Sequence, residues 1–180
     1  NFEYFGEDPY LAGEIAANYI IGLQSQGVMA SIKHFAANNQ EYARHSVSSD
    51  VDERTLHEIY FPAFEKAVKK AEVATIMTSY NLLNSIHASE SKYLNYDVLR
   101  DMWGFKGLVM SDWNSSYSPL NVATWGVDIE MPSPICMTPD LLVDFVQNGM
   151  LAEEALDRKC QHIIQTIFAF GFDKRPQIDR

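Results

Sequence analysis

What most constrains this chain is a repeated unit: a short apolar run, polar groups at its carboxyl end, and then a helix-patterned stretch. Val28-Met-Ala-Ser-Ile32 leads into Lys33-His34, and Ala74-Thr-Ile-Met-Thr-Ser79 leads into Tyr80-Asn81. Gly107-Leu-Val-Met-Ser-Asp-Trp113 ends in an acid and an indole, and Val127-Asp-Ile-Glu-Met131 delivers Glu130. Short apolar runs alternating with helical patterns predict a parallel α/β sheet whose chemistry gathers at one rim. At that rim a carboxylate can face a ligand and a tryptophan can stack on it, which makes Asp112 the leading candidate for a catalytic residue.

The helices between the runs carry their own start and stop signals. Asp8-Pro9 reads as an N-cap with proline in the first turn, and Leu11, Ile15, Tyr19 and Leu23 follow at near-helical spacing. Asp50 or Asp52 can cap a second helix whose apolar face is Leu56, Ile59, Tyr60, Ala63, Phe64, Ala67 and Val68, with Pro62 set to kink or split it. Ser89 or Ser91 opens a third helix bearing Leu94, Val98, Leu99 and Met102, which Gly104 is placed to stop. Thr138-Pro139 starts a fourth that ends at Asn148-Gly149. The last, from about Ala152 to Phe170, repeats Ala155, Leu156, Cys160, Ile163, Ile164, Ile167 and Phe168 before Gly171.

A chain of 180 residues with 47% hydrophobic content is enough for one good core. A complete eight-unit barrel takes about 250 residues, and roughly four strand–helix units are countable here. The expected fold is therefore α/β, the carboxyl-terminal portion of a (β/α) TIM-like barrel, with residues 1–172 forming the partial barrel. Residues 173–180 are polar and unpatterned, as an outgoing linker would be. A net charge of -10 with no long basic run argues against a nucleic-acid partner. No apolar run reaches the ~20 residues that span a bilayer, and the first residues are not a signal peptide. Cys136 and Cys160 lack zinc spacing and read as buried or incidental thiols. His34, His45, His57, His87 and His162 do not form a two-histidine pair on one helix face, so no metal is expected.

Five motifs in order carry a resemblance to a known family. They are Asn1-Phe-Glu-Tyr-Phe-Gly-Glu-Asp-Pro9; Lys33-His-Phe-Ala-Ala-Asn-Asn-Gln-Glu41 with Arg44; Met77-Thr-Ser-Tyr-Asn81; Leu99-Arg followed by Trp103-Gly-Phe-Lys-Gly107; and Ser111-Asp-Trp113. Together the set resembles the family 3 glycoside hydrolases, especially their β-glucosidase branch. That resemblance implies hydrolysis of terminal nonreducing β-D-glucosyl residues, a glucoside or small oligosaccharide as substrate, and no cofactor. It also implies that the motif starts inside a barrel whose earlier strands lie upstream.

The resemblance assigns roles residue by residue. Asp112 becomes the nucleophile of a retaining double displacement; read alone, an Asp at a strand end equally well caps the next helix. Lys33 and His34 become donors that hold the nonreducing-end sugar, and Arg44 a further sugar contact, although Arg44 is also spaced to pair with Glu41. Tyr80 falls where the family places a tyrosine beside its nucleophile, and Met77 and Trp113 become apolar walls, with core packing as the alternative for both. Glu130, an acid after an apolar run, is a candidate proton donor from its position alone, but the β-glucosidase branch takes its acid/base from a glutamate in a following domain. A structural role is the expectation for Glu130.

Departures from the pattern narrow the reading. The hexosaminidase branch carries a Pro-Gly-His-Gly type segment after Lys-His-Phe, whereas Ala36-Ala37-Asn38-Asn39 stands here, which favours glucosidase chemistry over amino-sugar release. Asn84-Ser85 replaces the common Asn-Gly turn. The alternatives from other classes are a noncatalytic carbohydrate-binding or scaffold domain, and a lyase forming a Schiff base through Lys33. An oligomer is compatible with either.

Overall fold

The computed structural model describes residues 3–175, so Asn1, Phe2 and 176–180 lie outside the described residues. In chain order it contains α1 (Pro9–Gln24), β1 (Ser31–Phe35), β2 (Ser48–Ser49), α2 (Glu53–Thr55), a π-helical turn Leu56–Tyr60 and α3 (Pro62–Lys69). Then come β3 (Thr75–Thr78), β4 (Leu82–Leu83), β5 (Ile86–His87), a 3₁₀ turn Ala88–Glu90 and a π-helical segment Tyr93–Met102. β6 (Leu108–Trp113), α4 (Pro119–Trp125), β7 (Ile129–Met131), α5 (Pro139–Gln147), α6 (Glu153–Ala169) and a 3₁₀ turn Phe172–Lys174 complete it. That last turn runs from Phe172 into the first two residues of the stretch expected to be unpatterned.

The main sheet has the order β1-β3-β6-β7, and all its pairings are parallel. Strands that neighbour one another in chain order, with helices between, are the arrangement of a (β/α) barrel; a doubly wound sheet reverses its order at a switch point. The parallel direction brings the ends of all four strands to a single rim. A small second sheet, β2-β4-β5, lies beyond that rim and was not anticipated, because its strands are two residues long and carry no periodicity. β1 runs three residues later than expected, so Lys33 and His34 lie within the strand. The Lys33–His34 and Phe35–Ala36 peptide bonds there are cis, and the register against β3 shifts between Ile32 and Phe35.

The core lies between the sheet and the helices that cover one face. Phe35 of β1 is fully buried, with its ring centroid 5.1 Å from Phe64 and 5.7 Å from Phe61 and Trp103. Such tilted pairs add about 0.5–1.5 kcal/mol each beyond the area they bury. Pro62 splits its helix as expected: Phe61 N–H reaches back to Leu56 O at 2.8 Å, an i→i+5 bond, and α3 restarts with proline in its first turn. Asp8 and Asp52 both act as N-caps, accepting from Leu11 and Thr55 N–H. Gly104, Gly149 and Gly171 adopt positive φ after the helices they stop. At Gly107 a Cβ would collide with the carbonyl oxygen of Ala74, so β3 and β6 approach closely only because that residue lacks one.

α1 turns a different face inward from the one expected, and α6 does so in part, with Ala155 buried and Leu156 packed inward as expected. α1 buries Gly13, Ala16, Ala17 and Ile20 and leaves Leu11, Ile15 and Tyr19 exposed. α6 buries Ala155, Lys159 and Thr166, while Cys160, Ile164, Ile167 and Phe168 face out. Met102 is also exposed. Below the opposite rim, Asp128 accepts from Arg100 at 2.9 Å and from Val109 N–H at 2.8 Å, and lies 2.9 Å from His162 Nδ1. Buried Lys159 donates to the carbonyls of Gly126 and Val127, and burial pushes its ammonium down to about 8 despite the attraction of Asp128. Cys136 is buried, Cys160 is exposed, and both are free thiols. Among the described residues, no helix is long and apolar enough to cross a membrane.

Candidate active site

Asp112 is the penultimate residue of β6, which ends at Trp113. Asn114 takes a left-handed φ of 56° and donates its N–H to Met131 O, while Ser115 Oγ donates to Asp112 O. The carboxylate is buried and does not cap α4, whose N-cap is Ser118. Its Oδ1 accepts the Trp113 N–H at 2.7 Å, and its Oδ2 lies 3.2 Å from His34 Nε2 on β1. Burial raises the Asp112 carboxyl, but the hydrogen bond from His34, the Trp113 N–H, the His34 charge and the Tyr80 hydroxyl together hold it below the ordinary aspartate value.

The neighbouring strands bring the other groups. Lys33 lies 3.5 Å from Glu3 Oε2, and the same oxygen is 3.6 Å from His34 Nδ1. His34 therefore stands between two carboxylates, Glu3 behind it and Asp112 in front. Tyr4 donates its hydroxyl to His34 O at 3.4 Å, and burial pushes that phenol up to about 12. Tyr80, just past β3, is buried, and its phenol is raised by burial and by the neighbouring Asp112 charge.

The loop after β1 folds back over Tyr80. Arg44 pairs with Glu41 at 2.7 Å, the structural reading of its spacing, and places its guanidinium carbon 4.0 Å from the Tyr80 ring centroid. His45 packs its ring 4.5 Å from Tyr80 and brings Nδ1 to 2.8 Å from the Tyr117 hydroxyl.

Lys33, His34, Arg44, Tyr80 and Asp112 thus converge on one rim. Met77 is half-buried on β3, and Trp113 is 58% exposed beside Asp112. Glu130 does something else: its carboxylate accepts the N–H groups of Ile135, Cys136 and Met137, at 2.6 Å for the last. It ties the loop after β7, in the structural role expected of it. Glu3, His45 and Tyr117 were missed as members of this cluster. Glu3 lay in a motif read only for resemblance, His45 was weighed only as a metal ligand, and Tyr117 follows Asp112 by five residues in a loop without periodicity. No group of acids, histidines and cysteines among the described residues is arranged to hold a metal ion.

A buried, ionised carboxylate beside an imidazole and a phenol, with an ammonium and a guanidinium on the same rim, suits nucleophilic attack on a polyhydroxylated ring. Known proteins carry the same frame. The chain is 49% identical over 168 residues to thermostable beta-glucosidase B of Acetivibrio thermocellus, an alignment covering 93% of this chain and 22% of that protein. It is 48% identical over 166 residues to an exo-alpha-(1->6)-L-arabinopyranosidase of Bifidobacterium longum, covering 92% and 22% respectively. The solved structure of beta-glucosidase 3B from Thermotoga neapolitana in complex with alpha-D-glucose superposes with a TM-score of 0.87 at 41% identity, over 94% of this chain and 25% of that one. The chain therefore spans about a fifth of the length of the curated relatives it matches, and its sheet is part of a TIM-like barrel. With the model of the glycosyl hydrolase family 3 N terminal domain matching residues 1–166, the chain belongs to that family.

Proposed function

We propose that the protein bearing this segment is a retaining, exo-acting β-glucosidase with Asp112 as its nucleophile. The observation that carries the reading is the setting of Asp112: a buried carboxylate kept ionised by His34 at 3.2 Å and by the Trp113 N–H. Asp112 attacks the anomeric carbon of a terminal glucosyl residue while an acid protonates the departing glycosidic oxygen. The product is a glycosyl ester on Asp112. Water, deprotonated by the conjugate base of that acid, then attacks the same carbon, releases the sugar with its configuration retained, and regenerates the carboxylate. Lys33, His34 and Arg44 hold sugar hydroxyls in this scheme. Tyr80 supports the carboxylate as its charge changes, and Met77 and Trp113 wall the site.

Glu130 is committed to three backbone N–H groups and is not the acid. We assign that role to a glutamate of a following domain. The arabinopyranosidase relative supplies the competing substrate, because an α-L-arabinopyranosyl ring also carries its leaving group equatorially.

In the full-length protein, Asp112→Asn and Asp112→Ala should lower glucoside hydrolysis by several orders of magnitude with the fold intact. A 2-deoxy-2-fluoroglucoside inactivator should label Asp112, and aryl β-D-glucosides should be cleaved faster than aryl α-L-arabinopyranosides. Label on another residue together with an active Asp112→Ala protein would overturn the assignment.

A further inference from the structure

Between residues 40 and 46 the loop after β1 is largely exposed, and most of its hydrogen bonds are internal. Arg44 donates to Glu41, and Ser46 and Val47 N–H return to Ala43 O at 2.8 and 2.9 Å. These bonds stiffen the loop without attaching it to the sheet. Among the side-chain hydrogen bonds that leave this stretch, Asn38 Nδ2 donates to Glu41 Oε1 at 3.4 Å within the same loop, whereas His45 Nδ1 lies 2.8 Å from the hydroxyl of Tyr117, 72 positions away in the loop that follows Asp112.

The far end of that bond is well seated. Tyr117 stacks on His87, with centroids 3.6 Å apart and planes 18° from parallel, and burial lowers the His87 pKa, which favours an uncharged ring in the stack. The carbonyl of Tyr80 lies 3.4 Å from both the Tyr117 hydroxyl and His87 Nδ1. On the near side, the His45 ring rests against Tyr80, and its chain neighbour Arg44 holds its guanidinium over the same ring. His45, Tyr117 and His87 therefore grip Tyr80 by both ring and backbone, while the Tyr80 hydroxyl helps to hold the Asp112 carboxyl down.

We propose that His45 and Tyr117 are positioning residues, whose hydrogen bond latches the 43–46 turn to the loop after β6 and so fixes the Arg44 guanidinium and the Tyr80 phenol against Asp112. The inference rests on the reading of Asp112 as nucleophile. Neither residue need touch the sugar. A long Arg side chain on an exposed turn samples many rotamers, and fixing its neighbour removes much of that freedom before substrate arrives.

The test uses the full-length protein. Tyr117→Phe keeps the ring stacked on His87 and deletes the hydroxyl, His45→Leu deletes the imidazole, and His45→Asn puts an amide near the place of Nδ1. Each of the first two should lower kcat/KM about 10-fold, and the double variant should lose clearly less than the product of the two single losses, because both break the His45–Tyr117 bond. His45→Asn should recover most of the loss, with every melting temperature within about 1 °C of the parent. Multiplying losses in the double variant, losses that track melting temperature, or His45→Asn no better than His45→Leu would each overturn the latch. Asp112→Asn is assayed alongside. Should it keep the parent rate, the nucleophile assignment fails, and the latch is judged on a crystal structure of Tyr117→Phe: a displaced 43–46 turn upholds it, an unmoved one overturns it.

Discussion

Asp112 is ionised in a place that burial makes unfavourable for charge. Burial acts to raise its carboxyl, and the opposing hydrogen bonds from His34, the Trp113 N–H and Tyr80 win. A nucleophilic carboxylate works only when deprotonated, so activity fails as pH falls through its pKa, and a depressed value extends activity to lower pH. Replacing His34 by Gln removes a lowering influence and leaves the raising one. The acid limb of the kcat/KM profile of the full-length protein should therefore move to higher pH, on top of a loss of transition-state binding of roughly 2–4 kcal/mol. An acid limb that stays in place, or moves to lower pH, would show that His34 does not set the ionisation of Asp112. Asp112, His34 and Tyr80 were legible because each sits at or near the end of an apolar run, where a parallel sheet delivers its chemistry. Glu3 and Tyr117 were not, since loops bring them to the rim and no spacing rule reports where a loop returns.

Helix ends were easier to read than helix faces. Capping is local: Asp8, Asp52 and the glycines that stop three helices act on backbone within four residues of themselves. A face is chosen by its partner. α1 packs on α3 closely enough that a Cβ at Gly13 would stand 3.4 Å from Ala63 Cα, so the small residues go inward and the large ones outward. The same distinction governs Glu130, whose position after an apolar run resembled that of Asp112. One carboxylate is spent on the backbone of its own loop, and the other faces the rim. Glu130→Gln should destabilise the protein by about 1–3 kcal/mol, because an amide offers one acceptor oxygen where three buried or half-buried N–H groups need a carboxylate. Its kcat per folded molecule should stay near the parent value. A loss of kcat by orders of magnitude at unchanged melting temperature would instead make Glu130 a proton donor.

As a whole molecule, the chain presents an open sheet. β1 and β7 are the edges of four parallel strands in barrel order, half of the eight that close a barrel and leave no edge. Leu11, Ile15 and Tyr19 of α1 and Ile164, Ile167 and Phe168 of α6 add exposed apolar surface to those open edges. The sequence told the number of units by counting runs, but it gave no sign of which faces stay open, because an amphipathic pattern looks the same whichever neighbour covers it. Purified alone, residues 1–180 should associate at micromolar concentration, with light scattering rising well before any thermal transition. The segment should also fail to hydrolyse cellobiose. Expelling a poorly stabilised alkoxide needs protonation worth about 10²–10⁴-fold, and Glu130, the buried acid nearest in role, is occupied by its own loop. An aryl glucoside with a good leaving group depends less on that proton, so slow turnover there, lost in Asp112→Ala, agrees with the proposal. Brisk cellobiose hydrolysis by the monomeric segment, abolished by Glu130→Gln, would place the acid inside this chain and refute the division of labour between domains.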